Sequence, residues 1–256
     1  IVDGAPVNTD ANLQFSPLSD TQRITSGSGA ENNRNITNKG VDMRTIGTDD
    51  IERVEVVRGI PSVEYGNLTS GIVDIKKIRR KMPLSARFKA DGYSKLFSLG
   101  KGIAIGTGNA HVLNVDLGYL DSKIDPTDNL ENYKRVNASL RYTFRKTTAK
   151  KTEWKWESAF DYSGSFDNSK ADPDLNYGRI DEYRSNYNRM VFTNSWSLKR
   201  RNGLLREVEV NTSVSQQLDR LREKRLVAPQ RYGIVPTGWE EGEREAAAVY
   251  AEYVAD

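Results

Sequence analysis

The sequence predicts a mainly β protein. A small mixed α/β segment runs to about residue 80, and seven or eight antiparallel strands follow as an up-and-down meander. Three observations predict this. From about residue 84 the chain alternates apolar and polar residues, as in "VNASLRYTF" from Val136 to Phe144, and period two is the strand signal. The connections alternate short and long. Aromatic residues gather at the tight end of the strands, on the apolar face.

The first residues, "IVDGAPV", read as a strand entering a tight Asp-Gly turn at Asp3-Gly4. Residues 8–40 are rich in Asn, Ser, Thr and Gly and read as a long polar loop, either functional or a plain surface loop. In "GTDDIERVEVVRG", Thr48 or Asp49 can cap a short helical turn, with Glu52 placed for a capping box. Val54, Val56 and Val57 then favour a strand. Gly59 breaks it. Pro61 starts a short helix, "PSVEY", which Gly66 ends, and Gly71 opens a second strand, "GIVDIKK". Each of these pieces alone is an ordinary strand-turn-strand connection.

The alternating region begins with "SARFKADG" and "KLFSLGKGIAI". In "HVLNVDLGYL", Leu113, Val115, Leu117 and Tyr119 share a face. Val136, Ala138, Leu140, Tyr142 and Phe144 form the next stripe, with Ser139 and Arg141 opposite. Trp154, Trp156, Phe160, Tyr162 and Phe166 follow, against Glu157 and Asp161. Met190, Phe192, Trp196 and Leu198 make another stripe, and Val208, Val210, Val214 and Leu218 the last. The connections 106–109, 145–151 and 199–203 are short, whereas 121–132, 167–182 and the segment after about 219 are long. Tyr142, Phe144, Trp154, Trp156 and Trp196 flank the short ones.

Composition narrows the function. Lys and Arg number 38 against 35 Asp and Glu, and the basic residues are spread out, which argues against a nucleic-acid stripe. The chain has no Cys, so disulfides, thiolate zinc and Cys catalysis are excluded. No apolar run is long enough for a membrane helix, but a membrane barrel needs only every second residue apolar. "GKGIAIGTG" lacks the Lys-Ser/Thr ending of a phosphate loop and reads as a strand leading into a turn. His111 is the sole His and is expected at a strand start. Asp49-Asp50 and Glu240-Glu241 read as solvated pairs. No enzyme, cofactor or metal site is expected.

The stretch 51–75, "IERVEVVRGIPSVEYGNLTSGIVDI", resembles the end of the plug domain of TonB-dependent outer-membrane receptors. The family pattern falls on Ile51 to Val56, Arg58, Gly59, Pro61, Tyr65, Gly66 and Gly71. Ile60 stands where many members have Pro directly after the Gly, so the turn after Gly59 departs from the pattern. "VDGAPV" is similar to an earlier plug strand and turn.

The resemblance implies residues 1–80 as the C-terminal part of a plug, and 81–256 as the N-terminal part of a transmembrane β-barrel of about 22 strands. A barrel of seven or eight strands fills its interior with its own side chains and cannot hold a plug. Both ends are therefore expected to be cut from a longer protein, with the segment that contacts the TonB complex outside this chain. The resemblance further implies active import across the outer membrane of a Gram-negative bacterium. It also implies a latch, with Arg58 pairing to acidic groups of plug or barrel wall.

Siderophore, cobalamin, glycan and peptide importers share the signature, some with a surface lipoprotein partner. Loop 8–40 offers neutral donors and acceptors, with Gln14, Phe15 and Arg34 as candidate contacts, which favours a glycan or peptide. The competing reading is a soluble or surface-anchored β-sandwich that binds glycans.

Overall fold

The computed structural model describes residues 1–7, 43–59, 71–106, 110–123, 126–127, 129–148, 152–170, 182–200, 206–227 and 249–255. Two antiparallel sheets account for most of them. The small one pairs β1 (Ile51–Arg58) with β2 (Gly71–Lys77). The large one has eight strands: β3 (Met82–Ala90), β4 (Ser94–Ile105), β5 (His111–Ser122), β6 (Glu131–Thr147), β7 (Thr152–Lys170), β8 (Glu182–Arg200), β9 (Glu207–Val227) and β10 (Val249–Ala255). Each pairs only with its sequence neighbours, so the order is a pure meander with β3 and β10 at its two ends. The mainly β class and the antiparallel meander thus follow the sequence pattern.

The start of the chain turns as its Asp-Gly predicts. Asp3 and Gly4 have φ of 48° and 82°, and Val2 and Ala5 exchange two backbone hydrogen bonds of 2.9 Å. Two positive φ values at the centre of a two-residue loop match the right-handed twist of flanking strands. Val2 then lies alongside Ile75 as a parallel bridge on β2.

Three local expectations change. Residues 48–50 do not start a helical turn: they form a bend, with Ile51 N donating to Thr48 O at 3.4 Å. Ile51 and the valines after it find strand partners on β2, such as Val56 on Val73 and Val57 on Ile72, and that ladder outcompetes a helix. One 3₁₀ turn, Met43–Thr45, lies just upstream instead. Second, the later strands outrun their apolar stripes. β7 continues to Lys170, β8 begins at Glu182 and β9 runs to Val227, well past Leu218. Backbone pairing continues there, for example Arg184 with Arg222, although the side chains have become polar. Third, the short helix expected over 61–65 lies outside the described residues.

The small sheet ends at Lys77 and the large one starts at Met82, so only four residues join them. The linker crosses β4 at close range. A Cβ on Gly102 would lie 2.2 Å from Arg80 O and 2.6 Å from Asn114 Nδ2. Glycine at this inward position of β4 is what lets the linker pass over the sheet.

Candidate functional site

The two faces of the large sheet have opposite chemistry. The face turned away from the small sheet carries the apolar stripes and leaves them uncovered: Leu117, Leu140, Phe160, Phe192 and Val214 are all exposed. The face under the small sheet carries Asn114, Asp116, Ser139, Arg141, Thr143 and Asp167, and these are buried. Neighbours in sequence show the inversion plainly: Leu140 is 47% exposed and Arg141 is 0% exposed. A water-soluble sheet packed by a second layer does the reverse.

Near the short connections the outer face bears an aromatic ladder. His111 and Phe144 have ring centroids 4.7 Å apart, and the Tyr142 hydroxyl lies 2.7 Å from His111 Nδ1. Tyr142 meets Trp156 edge to face at 5.1 Å, and Trp156 stacks on Trp196 at 4.8 Å. The Trp156 indole N–H donates to Asn194 Oδ1 at 2.6 Å. His111 does open a strand, but its place in this row was not visible before the register was known.

Beneath the small sheet lies a charged network that joins three parts of the chain. Arg141 of β6 reaches Asp50 at 2.9 Å, contacts the Asp116 carboxylate of β5, and donates to Ser139 Oγ at 2.6 Å and to Ile78 O at 3.0 Å. Lys77, at the end of β2, bridges Asp50 at 2.9 Å and Asp161 of β7 at 2.7 Å. Ser139 also donates to Asp161. Burial alone would push the Lys77 ammonium down, but the carboxylates of Asp161 and Asp50 outweigh it and hold the pKa above the ordinary lysine value. Asp50, read from sequence as solvated, is 4% exposed, because the bend at 48–50 turns its carboxylate inward onto two cations.

The same face grips irregular backbone. Arg135 Nη1 donates to Arg44 O at 2.6 Å and Ile46 O at 2.9 Å, and Ser163 donates to Thr45 O at 2.7 Å. Asn114 donates to Arg80 O at 2.8 Å, and Arg189 to Pro6 O at 3.3 Å. Arg44 pairs with Asp167 at 3.1 Å and lies over the Tyr133 ring at 4.4 Å. Carbonyls outside regular structure need such partners when covered. Here the long strands supply them from side chains. A cavity of about 100 Å³ remains beside the 47–50 bend, lined by Asp49, Asp50, Ser98, Asp116, Arg135 and Asn137. Its polar lining suits ordered water.

The residues picked out by motif are placed as follows. Arg58 ends β1, opposite Gly71, and is exposed, with no ion pair among the described residues. Gly59 has φ of 90° and Gly71 of 115°, and a Cβ on Gly71 would sit 2.5 Å from Val57 O, so glycine is required there. Pro61, Tyr65 and Gly66 lie outside the described residues, as do Gln14, Phe15 and Arg34. The charged groups brought together are Asp50, Lys77, Asp116, Arg141 and Asp161. Sequence placed Arg141 and Asp161 on a common inner face, but Asp50 and Lys77 carried no periodic signal. Comparison with protein-family models, with curated proteins and with solved structures gave no match to this chain.

Proposed function

We propose that this chain belongs to an outer-membrane importer of the TonB-dependent type, with residues 1–80 in the plug and 81–256 in the barrel wall. The observation that carries the reading is the inversion at Leu140 and Arg141. Lipid accepts an exposed apolar face and cannot solvate charge, while a polar plug requires a polar lumen. The aromatic ladder supports it, since such rows mark the membrane–water interface. The signature over 51–75, with Gly71 where only glycine fits, supports it independently. A β-sandwich reading would place Arg141 in the core between two layers, where apolar side chains belong.

In this reading the small sheet is plug, held to the wall by Lys77 and Arg141, and the remaining strands complete a barrel of about 22. Import is energised through the TonB complex. The ligand is a glycan or peptide, delivered with or without a surface lipoprotein, because loop 8–40 is rich in neutral hydrogen-bonding groups. The experiment is purification of the full receptor with and without detergent, then uptake in cells with TonB intact or deleted. Protein that stays monodisperse without detergent would sink the membrane assignment. Replacing residues 12–34 by a Gly/Ser linker tests the ligand class. Unchanged affinity and uptake would remove Gln14, Phe15 and Arg34 from the binding site.

A further inference from the structure

The outer face of the large sheet carries one charge inside its apolar band. Among the described residues of β3 to β9, outward positions between the aromatic ladder and the level of Phe97, Val136, Phe166 and Leu218 are otherwise apolar or neutral. The exception is Lys101 of β4. Its neighbours fix its facing. A Cβ on Gly100 would lie 2.5 Å from Asp116 Oδ1, and one on Gly102 2.2 Å from Arg80 O, so both glycines face the small sheet and Lys101 faces away. Lys101 is in register with Val115, and that row continues through Leu140, Phe160, Phe192 and Val214. Leu99 and Ile103 flank it along β4. Lys101 is exposed, and its ammonium has no partner among the described residues.

An ionisable side chain inside a membrane band is costly and calls for a partner. Water is distant from this one. Ile105, in register with His111 of the aromatic ladder, lies four residues further on, about 14 Å along the strand. A strand tilt of 35–45° leaves about 10 Å of that as depth. The four-carbon stem of a lysine covers only part of it. The open side of the sheet is β3, whose outer edge has no neighbour among the described residues. Lipid does not tolerate an open edge. β3 begins at Met82, opposite Gly102, and is irregular at once, so that Pro83 and Leu84 together face the single Lys101. Such a bulge re-aims side chains, and proline in a sheet is confined to such places and to edges. A strand laid on the free edge of β3 stands two strand spacings, about 10 Å, from Lys101. An extended lysine and an extended acidic side chain together bridge that gap.

We propose that Lys101 pairs, inside the membrane band, with a carboxylate of the strand that closes the barrel against β3. The proposal rests on the membrane reading above. It gives the lysine a purpose. A closing strand that slips by one residue turns every side chain to the other face. In a slipped register Lys101 and its carboxylate would both be left unpaired away from water, which is strongly penalised. The pair therefore selects one register at the seam where the two ends of the barrel wall meet.

The test treats the full receptor, folded in detergent micelles, with dicyclohexylcarbodiimide, an apolar reagent that joins an adjacent amine and carboxylate as an amide. Peptide mass spectrometry should find Lys101 linked to an aspartate or glutamate outside residues 1–256, and the link should vanish in Lys101→Gln. Lys101 recovered unlinked from the wild type overturns the proposal. So does a link between isotope-labelled and unlabelled receptor mixed before the reaction, which would place the carboxylate on a second copy. Lys101→Met gives an independent sign. A lone lysine in lipid is only a cost, so its removal would raise the yield of heat-modifiable folded protein. Removing a paired one strands its carboxylate, so Lys101→Met should lower that yield several-fold. Changing the linked carboxylate to its amide in the same variant should restore most of it. An unchanged or raised yield in Lys101→Met overturns the pair. A receptor that stays monodisperse without detergent defeats the membrane reading itself, a result distinct from an inserted receptor with no link at Lys101.

Discussion

Replacing Arg141 by methionine keeps most of its bulk and removes its charge. Asp116 would then lose its Arg141 partner under the small sheet, and Asp50 would lose one of its two cations, keeping Lys77. Breaking one side of a buried ion pair costs about 3–5 kcal/mol, so Arg141→Met should lower stability by that order. Arg53→Ala, which removes an exposed pair at 3.6 Å from Glu55, should cost under about 1 kcal/mol. Denaturant unfolding of the receptor refolded in detergent compares them, and equal losses would contradict a buried network. Adding Asp50→Asn and Asp116→Asn to Arg141→Met should recover part of the loss, because no charge is then left unpaired. Lys77 sets a pH dependence. Its pKa is raised on folding, so its contribution is complete below the unfolded value of 10.5 and is lost as pH climbs through the higher folded value. Wild type should therefore lose stability relative to Lys77→Met as pH rises beyond that value. Parallel curves for the two proteins at alkaline pH would rule Lys77 out of the lock.

Within a strand, facing decides what a substitution costs. Ser139, the inward neighbour of Leu140, is 5% exposed and bonded to Asp161 and Arg141, so it makes a poor control for an outward substitution. β9 offers a cleaner comparison. Val214 faces outward, 69% exposed, in register with Phe192, while Ser213 faces the other way and is also exposed. Val214→Arg near the band centre should cost about 2–4 kcal/mol in a bilayer, and Ser213→Arg much less. The amount of heat-modifiable folded protein measures both, and equal yields would refute the lipid-facing assignment. The alternation that makes this prediction possible was legible from sequence, because period two reports facing directly. Strand ends were not legible: the ladder past Leu218 is held by backbone pairs, which side-chain polarity does not reveal. The charged site was half legible. Arg141 and Asp161 sat on visible stripes, whereas Asp50 and Lys77 join them only through the path of the bend and the linker.

Across the molecule, strand overhang and connection length give the same direction. A strand crosses a bilayer in about 9–11 residues, yet β7 and β8 each have 19 residues. The aromatic ladder lies close to the short connections, with Phe144 three residues before the end of β6 and Trp156 four after the start of β7. The surplus length of both strands therefore projects at the other end, where the long connections are. A receptor that captures ligand outside the cell and passes it inward should face that elaborated end outwards, with the tight turns in the periplasm. The chain contains no cysteine, so a thiol introduced here is unique among its residues once any cysteines elsewhere in the receptor are changed to serine. Thr148, after β6, and Thr127, between β5 and β6, are both exposed and stand at opposite ends of the strands. On intact cells Thr127→Cys should react with a membrane-impermeant maleimide, and Thr148→Cys should react only after the outer membrane is permeabilised. Labelling of Thr148→Cys on intact cells as fast as Thr127→Cys would defeat the orientation. Labelling of Thr148→Cys alone would reverse it, and would put the long connections in the periplasm.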